Sequence, residues 1–176
     1  MLHEMPEDNR PYAITVCRIE PENNIHLVLD AFSHQTELPL VAVGNWKNSD
    51  YGLSLWTQYA GVSHIHLLDP IYDFEKINTL RSNAFLYVHG HSAGGTNPSL
   101  VEAMSLSLPV FAFDCIYNRY TTENQCIYWS NSDELCAYIS RCEKARLDFI
   151  GKNMKSIADN RYRWNIIISK YESLFL

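Results

Sequence analysis

The feature that most restricts this chain is an alternation. From Tyr12 onward, short apolar runs that read as β-strands are separated by stretches with helical spacing. Parallel neighbours cannot be joined by a tight turn, so this pattern predicts an α/β fold, a parallel sheet with crossover helices. Strands are expected at Tyr12–Cys17, Pro39–Val43, His64–Leu67, Ala84–Val88 and Pro109–Ala112, with a sixth at Cys126–Trp129. Ile25, Val28, Leu29 and Phe32 recur at i, i+3, i+4 and i+7, which gives the first helix one buried stripe. Leu53–Tyr59 and Phe74–Leu80 are similar. After Asp133 the chain reads as helix alone, and its last segment puts Trp164, Ile167, Ile168, Tyr171, Leu174 and Phe175 on one face. For an aromatic stripe at helical spacing, packing on the domain's own sheet is the expectation.

At 176 residues the chain fits one globular domain, preceded by a polar arm at Met1–Pro11. Fourteen Lys and Arg against twenty Asp and Glu, with no basic run, argue against a nucleic-acid partner. The longest apolar runs fall far short of the ~20 residues of a membrane-spanning helix. Five cysteines, odd in number and without a paired Cys-x-x-Cys motif or a signal peptide, point to a reducing cytoplasm.

Three of the seven glycines, Gly90, Gly94 and Gly95, follow the run Phe85-Leu86-Tyr87-Val88. In open α/β sheets, ligands bind outside the carboxyl ends of strands, which is where this cluster falls. The segment from His89 to Met104 reads as strand end, glycine loop, then a helix capped by Asn97 and opened by Pro98. Unpaired N–H groups and the positive end of the helix dipole there attract an anion, and Gly94 and Gly95 admit it closely. Glu102, one turn inside the helix, leans back toward that anion and suits the vicinal hydroxyls of a ribose; a solvated glutamate is the plain alternative. Arg18, directly after the first strand, is suited to clamp a diphosphate from the other side or to pair with Glu20 or Glu22. Neither a Walker-type phosphate loop nor a Gly-x-Gly-x-x-Gly turn is present.

At these residues the chain resembles the C-terminal, donor-binding half of the retaining GT-B glycosyltransferases of family 4, the group 1 glycosyltransferases. The resemblance runs from Tyr12 nearly to the end. Gly90-His91-Ser92-Ala93-Gly94-Gly95-Thr96-Asn97-Pro98-Ser99-Leu100-Val101-Glu102-Ala103-Met104 is similar to the form found in bacterial rhamnosyltransferase-like enzymes of O-antigen and capsule synthesis. Val16 to Ile25 resembles the family's entry to its first helix, and Val41-Ala42-Val43-Gly44 its second strand and turn. The resemblance implies a Rossmann-like sheet forming one half of a GT-B fold. It gives Glu102 to the ribose, as the second glutamate of a Glu-x7-Glu motif, and Arg18 to the diphosphate. Gly95, Thr96, Asn97, Pro98 and Ser99 then face phosphates and sugar, and Pro70 and Ile71 lie beside the base.

There are three departures. Gly94 stands where the family has its first glutamate, and Asn23 where it has a lysine; the acceptor-binding N-terminal domain is absent from these residues, so the fragment is expected to be inactive alone. The implied donor is dTDP-rhamnose or a UDP-sugar, and no metal or other cofactor is required. The implied acceptor is a lipid-diphosphate-linked glycan, met at the inner membrane face through the other domain. The terminal stripe would, on this resemblance, be an interdomain surface. A non-catalytic nucleotide-sugar binding or regulatory module is the alternative, and a flavodoxin-like signalling domain a more distant one.

Other constellations carry less. His64/His66 and His89/His91 each place two imidazoles on one strand face, but two ligands do not make a metal site. His91 either caps its loop or hydrogen-bonds a donor phosphate or hydroxyl. Asp114 and Glu123, in a loop, are the only pair resembling the acid and base of a glycosidase, and no Gly-x-Ser-x-Gly elbow supports a hydrolase.

Overall fold

The computed structural model describes residues 11–175, so the expected arm at Met1–Pro11 lies almost entirely outside the described residues. Six strands, β1 (Ala13–Val16), β2 (Leu40–Val43), β3 (Ile65–Leu68), β4 (Leu86–His89), β5 (Val110–Phe113) and β6 (Ile127–Trp129), form one sheet. All pairings are parallel and the order is β3-β2-β1-β4-β5-β6. The strands are almost wholly apolar because both faces are covered, as in any parallel sheet. The order reverses between β1 and β4, which makes their carboxyl ends the switch point where such sheets open a crevice.

The crossovers are α1 (Ile25–Ser33), α2 (Asp50–Tyr59), α3 (Phe74–Ser82), α4 (Pro98–Ser105) and the short α5 (Ile116–Thr121), followed by α6 (Ser132–Arg141), α7 (Lys144–Arg161) and α8 (Trp164–Glu172). α1 packs beside α6, and α4 beside α7. Right-handed crossovers in the two directions of strand order place α1 and α4 on opposite faces. The largest buried side chains are Trp46, Trp129, Tyr87, Phe32 and Phe111. Starts are set locally: Ser49, Asp73, Asn97 and Asn131 each accept a backbone N–H from the first turn of the helix they precede.

Four expectations need correction. The fourth strand runs two residues beyond Ala84 at its start and takes in His89, while His91 lies past it and His64 precedes β3, so neither histidine pair shares a strand face. The stretch holding Asp114 and Glu123 contains α5. α8 has no buried residue: Trp164 is 77% exposed, Tyr171 63% and Phe175 85%. The sheet and its flanking helices are already covered by α6 and α7, so the terminal stripe has little core left to join; α8 touches α7, and Tyr162, before it, packs against the core. Finally, Phe74 is 72% exposed, and α3 meets the core through Ile77 and Leu80.

Candidate functional site

The switch point holds two adjoining clefts. The first, about 200 Å³, is lined by Val16, Cys17, Arg18, Asn23, His91, Asn97, Pro98 and Ser99. The second, about 430 Å³, shares Val16, Cys17, Arg18 and Ser99 and extends to Gly44, Asn45, Pro70, Ile71 and Tyr72. Of the residues expected from sequence, Arg18, Asn23, Gly44, Pro70, Ile71, His91, Asn97, Pro98 and Ser99 are thus brought together. Gly94, Gly95, Thr96 and Glu102 lie outside both linings.

Arg18 is exposed and makes no ion pair among the described residues, so the expected alternative of a bridge to Glu20 or Glu22 is not formed. Among the described residues it is the only arginine or lysine lining either cleft. Cys17 beneath it stays a thiol, because burial pushes its pKa up to about 12.

The clefts owe their shape to close joints between loops. The Asn23 amide donates to the Arg18 carbonyl at 2.8 Å, and its Oδ1 lies 2.7 Å from His91 Nδ1. Asn24, at φ 47, donates to the Gly90 carbonyl at 2.9 Å. A Cβ on Gly90 would stand 2.1 Å from the Asn23 carbonyl oxygen, so only glycine lets the turn after β1 seat against the end of β4. Asn45 accepts the Ile19 N–H at 2.7 Å, and Asn118, buried in α5, donates to the carbonyls of His91 and Phe113 at 2.8 and 2.9 Å.

The glycine loop differs in detail from the expectation. Asn97 Oδ1 already takes the Ser99 N–H at 3.0 Å, and Pro98 has none. Between Ser92 and the helix, the amides of Ala93 to Asn97 make no hydrogen bond among the described residues. Gly94 sits there at φ 86, a conformation other residues rarely adopt. The Thr96 hydroxyl accepts a long, 3.4 Å hydrogen bond from Thr121. A run of unpaired N–H groups around a left-handed residue is an anion-binding concavity.

Glu102 is not a free solvated carboxylate. Its Oε2 lies 2.7 Å from Nη2 of Arg81, at the end of α3, and the same guanidinium reaches Ser99 Oγ at 3.4 Å. Arg81 was not a candidate from sequence. Neither were Asn24, Asn45 or Asn118, whose work is to satisfy backbone groups of distant loops. His89 is buried, stacked on Tyr87, with its Nε2 unpartnered, and burial holds its pKa down to about 3. Asp114 and Glu123 are paired with Arg119 and Arg161 respectively, which removes them as an acid and base pair. Among the described residues no three His, Cys, Asp or Glu side chains gather to hold a metal, and no helix is long and apolar enough to cross a membrane.

The family model for glycosyl transferases group 1 matches residues 4–164. No curated protein matches the chain significantly. Among solved structures it is similar to a sucrose-phosphate synthase from Thermosynechococcus elongatus, at 18% identity and TM-score 0.81, covering 96% of this chain and 45% of that one. It is similar also to the pneumococcal O-GlcNAc transferase GtfA in complex with UDP and GlcNAc, at 17% identity and TM-score 0.69, covering 92% and 35%. The C-terminal domain of a glycosyl transferase group 1 family protein, LpcC from Francisella tularensis, matches at 16% identity and TM-score 0.69, covering 87% of each chain. At such identities the likeness is one of fold, and the chain spans less than half the length of the full-sized relatives.

Proposed function

Because the chain belongs to the group 1 glycosyl transferases, we propose that it is the donor-nucleotide domain of a retaining GT-B enzyme. It binds a nucleoside diphosphate sugar, dTDP-rhamnose or a UDP-sugar, for transfer to a lipid-linked precursor of a bacterial surface polysaccharide. The observation that carries this reading is the pair of adjoining clefts at the β1/β4 switch point, which bring Arg18 together with His91 and with Asn97, Pro98 and Ser99 at the start of α4. As the bond from sugar to diphosphate breaks, negative charge builds on the leaving group. Arg18 and the unpaired amides from Ala93 to Asn97 stabilise that charge in place, without a metal. Glu102 accepts from the ribose hydroxyls, and the wider cleft by Gly44, Pro70 and Ile71 takes the base.

The acceptor is held by a second domain outside these residues, a reading supported by the share of its relatives that the chain spans. That domain also brings the peripheral contact with the inner face of the cytoplasmic membrane. Turnover requires both halves. The exposed stripe of α8 supports a role as part of the surface between them.

The test is titration of this chain with UDP, dTDP, GDP, ADP and their sugars, followed by calorimetry and by NMR shifts of Gly94 to Glu102. Selective binding of one diphosphate with shifts on that loop is the expected result. Failure of all of them to bind the folded chain, and the full-length protein as well, overturns the donor-domain reading.

A further inference from the structure

The cleft's charge can be taken one step further, on the donor-site reading given above. Asn23 is 5% exposed, and its Nδ2 donates to the Arg18 carbonyl at 2.8 Å. A carbonyl oxygen only accepts, so the amide cannot be turned over, and the atom 2.7 Å from His91 Nδ1 is Oδ1. That oxygen also only accepts, so Nδ1 of His91 carries a hydrogen. Nε2 is then the ring nitrogen that gains and loses the proton. It makes no hydrogen bond among the described residues, and it is the atom nearest to where a Cβ on Gly94 would stand, at 3.9 Å. The ring nitrogen therefore lies against the glycine loop, in the residue that lines the smaller cleft with Arg18, Asn97 and Ser99.

We propose that His91 is the second cation of the donor site: its Nε2 takes up a proton when a nucleoside diphosphate sugar binds, and the imidazolium so formed donates to a phosphate oxygen. The charge balance favours it. A diphosphate diester brings two negative charges, and among the described residues Arg18 is the only fixed cation lining either cleft. Asn23 holds the ring with Nδ1 as its donor, which leaves Nε2 as the atom that meets a phosphate oxygen. Gly94 leaves room for the ring, and Asn23 sets its orientation.

The other groups facing the ring do not titrate over the same range. His89 on β4, its ring centroid 6.1 Å away, is held neutral by burial down to about 3. Cys17 after β1 stays a thiol up to about 12. Arg18 is permanently charged. Cys115, before α5, donates its thiol to the His91 carbonyl at 3.8 Å, and Asn118 of α5 is uncharged. Glu20 and Glu22 lie on the neighbouring turn, and neither pairs with the ring, whose Nδ1 is taken by Asn23.

The experiment is calorimetry on the full chain with UDP-glucose and dTDP-glucose, whose diphosphate diesters carry no group that titrates near neutrality. Each titration is run at pH 6, 7 and 8.5 in two buffers of different ionisation enthalpy. Expected are a net uptake of part of one proton at pH 7 and about tenfold tighter binding at pH 6 than at pH 8.5. His91→Gln should lose both the uptake and the pH dependence. Nitrogen-15 NMR of labelled histidine should show His91 of the free chain protonated at Nδ1, with that preference lost in Asn23→Ala. Binding without uptake, or a free ring protonated at Nε2 alone, overturns this inference and leaves the donor site standing. No binding of either nucleotide sugar by the folded chain overturns this inference, and titration with the other nucleotides and with the full-length protein then decides the donor site. If His91→Gln does not fold, the proton count and tautomer of the unaltered chain decide.

Discussion

Nη2 of Arg81 lies 2.7 Å from Oε2 of Glu102, and the arginine side chain is 6% exposed while the glutamate's is 48% exposed. A buried cation at the end of α3 thus reaches through to fix a carboxylate at the surface of α4. The same guanidinium reaches Ser99, which lines both clefts. The pair sets one carboxylate oxygen and leaves the other for a ligand.

Glu102→Ala should therefore act twice. Two lost ribose hydrogen bonds weaken nucleotide binding by ~1 to 3 kcal/mol. The buried Arg81 charge left behind costs about 1 to 3 kcal/mol of stability, below the usual cost for a wholly buried pair because Glu102 is half in water. Calorimetry with the preferred nucleotide and urea unfolding separate the two. Arg81→Met should weaken binding as well, through loss of Glu102's orientation. Unchanged affinity in Glu102→Ala, with the fold intact, would sink the ribose role.

The three glycines of the loop should respond differently. Gly94→Ala forces a side chain to φ 86 and should cost about 1 to 2 kcal/mol of stability. Gly95→Ala meets open space and should stay within about 0.5 kcal/mol. Gly90→Ala drives a Cβ into the Asn23 carbonyl, 2.1 Å away, and should cost on the order of 1 to 3 kcal/mol while also displacing Asn23 and His91. Urea midpoints of the three variants check the ranking. Equal costs at Gly94 and Gly95 would show that the left-handed conformation is not needed.

Much of this was legible from the chain, and the part that was not has a physical reason. Strands and first helices declared themselves because buried parallel strands and amphipathic crossovers leave a period in the sequence. The loop from Gly90 to Glu102 was readable because glycines, an asparagine cap and a proline each mark a particular backbone state. Arg81 was hidden because its partner lies 21 residues away on another helix, and nothing local distinguishes a buried arginine from a solvated one. Asn118 was hidden because the stretch around it reads as loop, while its amide in fact bridges two carbonyls from different strand ends. The unpaired amides fell one loop earlier than expected because Asn97 spends its own side chain on the helix it caps. Periodicity also misassigned the last helix: a stripe of one-sided apolar residues says that a face wants cover, not which surface supplies it.

His89 makes the fold sensitive to mild acid. Burial holds its pKa down to about 3, against an ordinary value of 6.5, so the unfolded chain binds a proton that the native state refuses. Its contribution is present in full above about pH 6.5 and is lost progressively as the pH falls toward 3. The urea midpoint should drop between pH 7.5 and pH 5, and His89→Phe, which keeps the ring and removes the titration, should show a shallower drop. Parallel slopes for the two proteins would mean that His89 is not the group responsible.

The last helix offers the opposite kind of test, one in which little should happen. Trp164, Ile168 and Tyr171 are 77%, 51% and 63% exposed and belong to a helix with no buried residue. Side chains that touch so little stabilise little, so Trp164→Ser and the triple change to serine should leave the urea midpoint within about 0.5 kcal/mol per site. Trp164 fluorescence, read as the difference between the chain and Trp164→Ser, should report a water-exposed indole, in contrast to the buried Trp46 and Trp129. Adding the proposed acceptor-binding domain should then shift that emission to the blue if α8 lies at the junction, since the stripe is an apolar patch of the kind that marks an interaction surface. A midpoint lowered by several kcal/mol in the isolated chain would instead mean that the stripe packs on its own domain after all, and the interdomain role would fall with it.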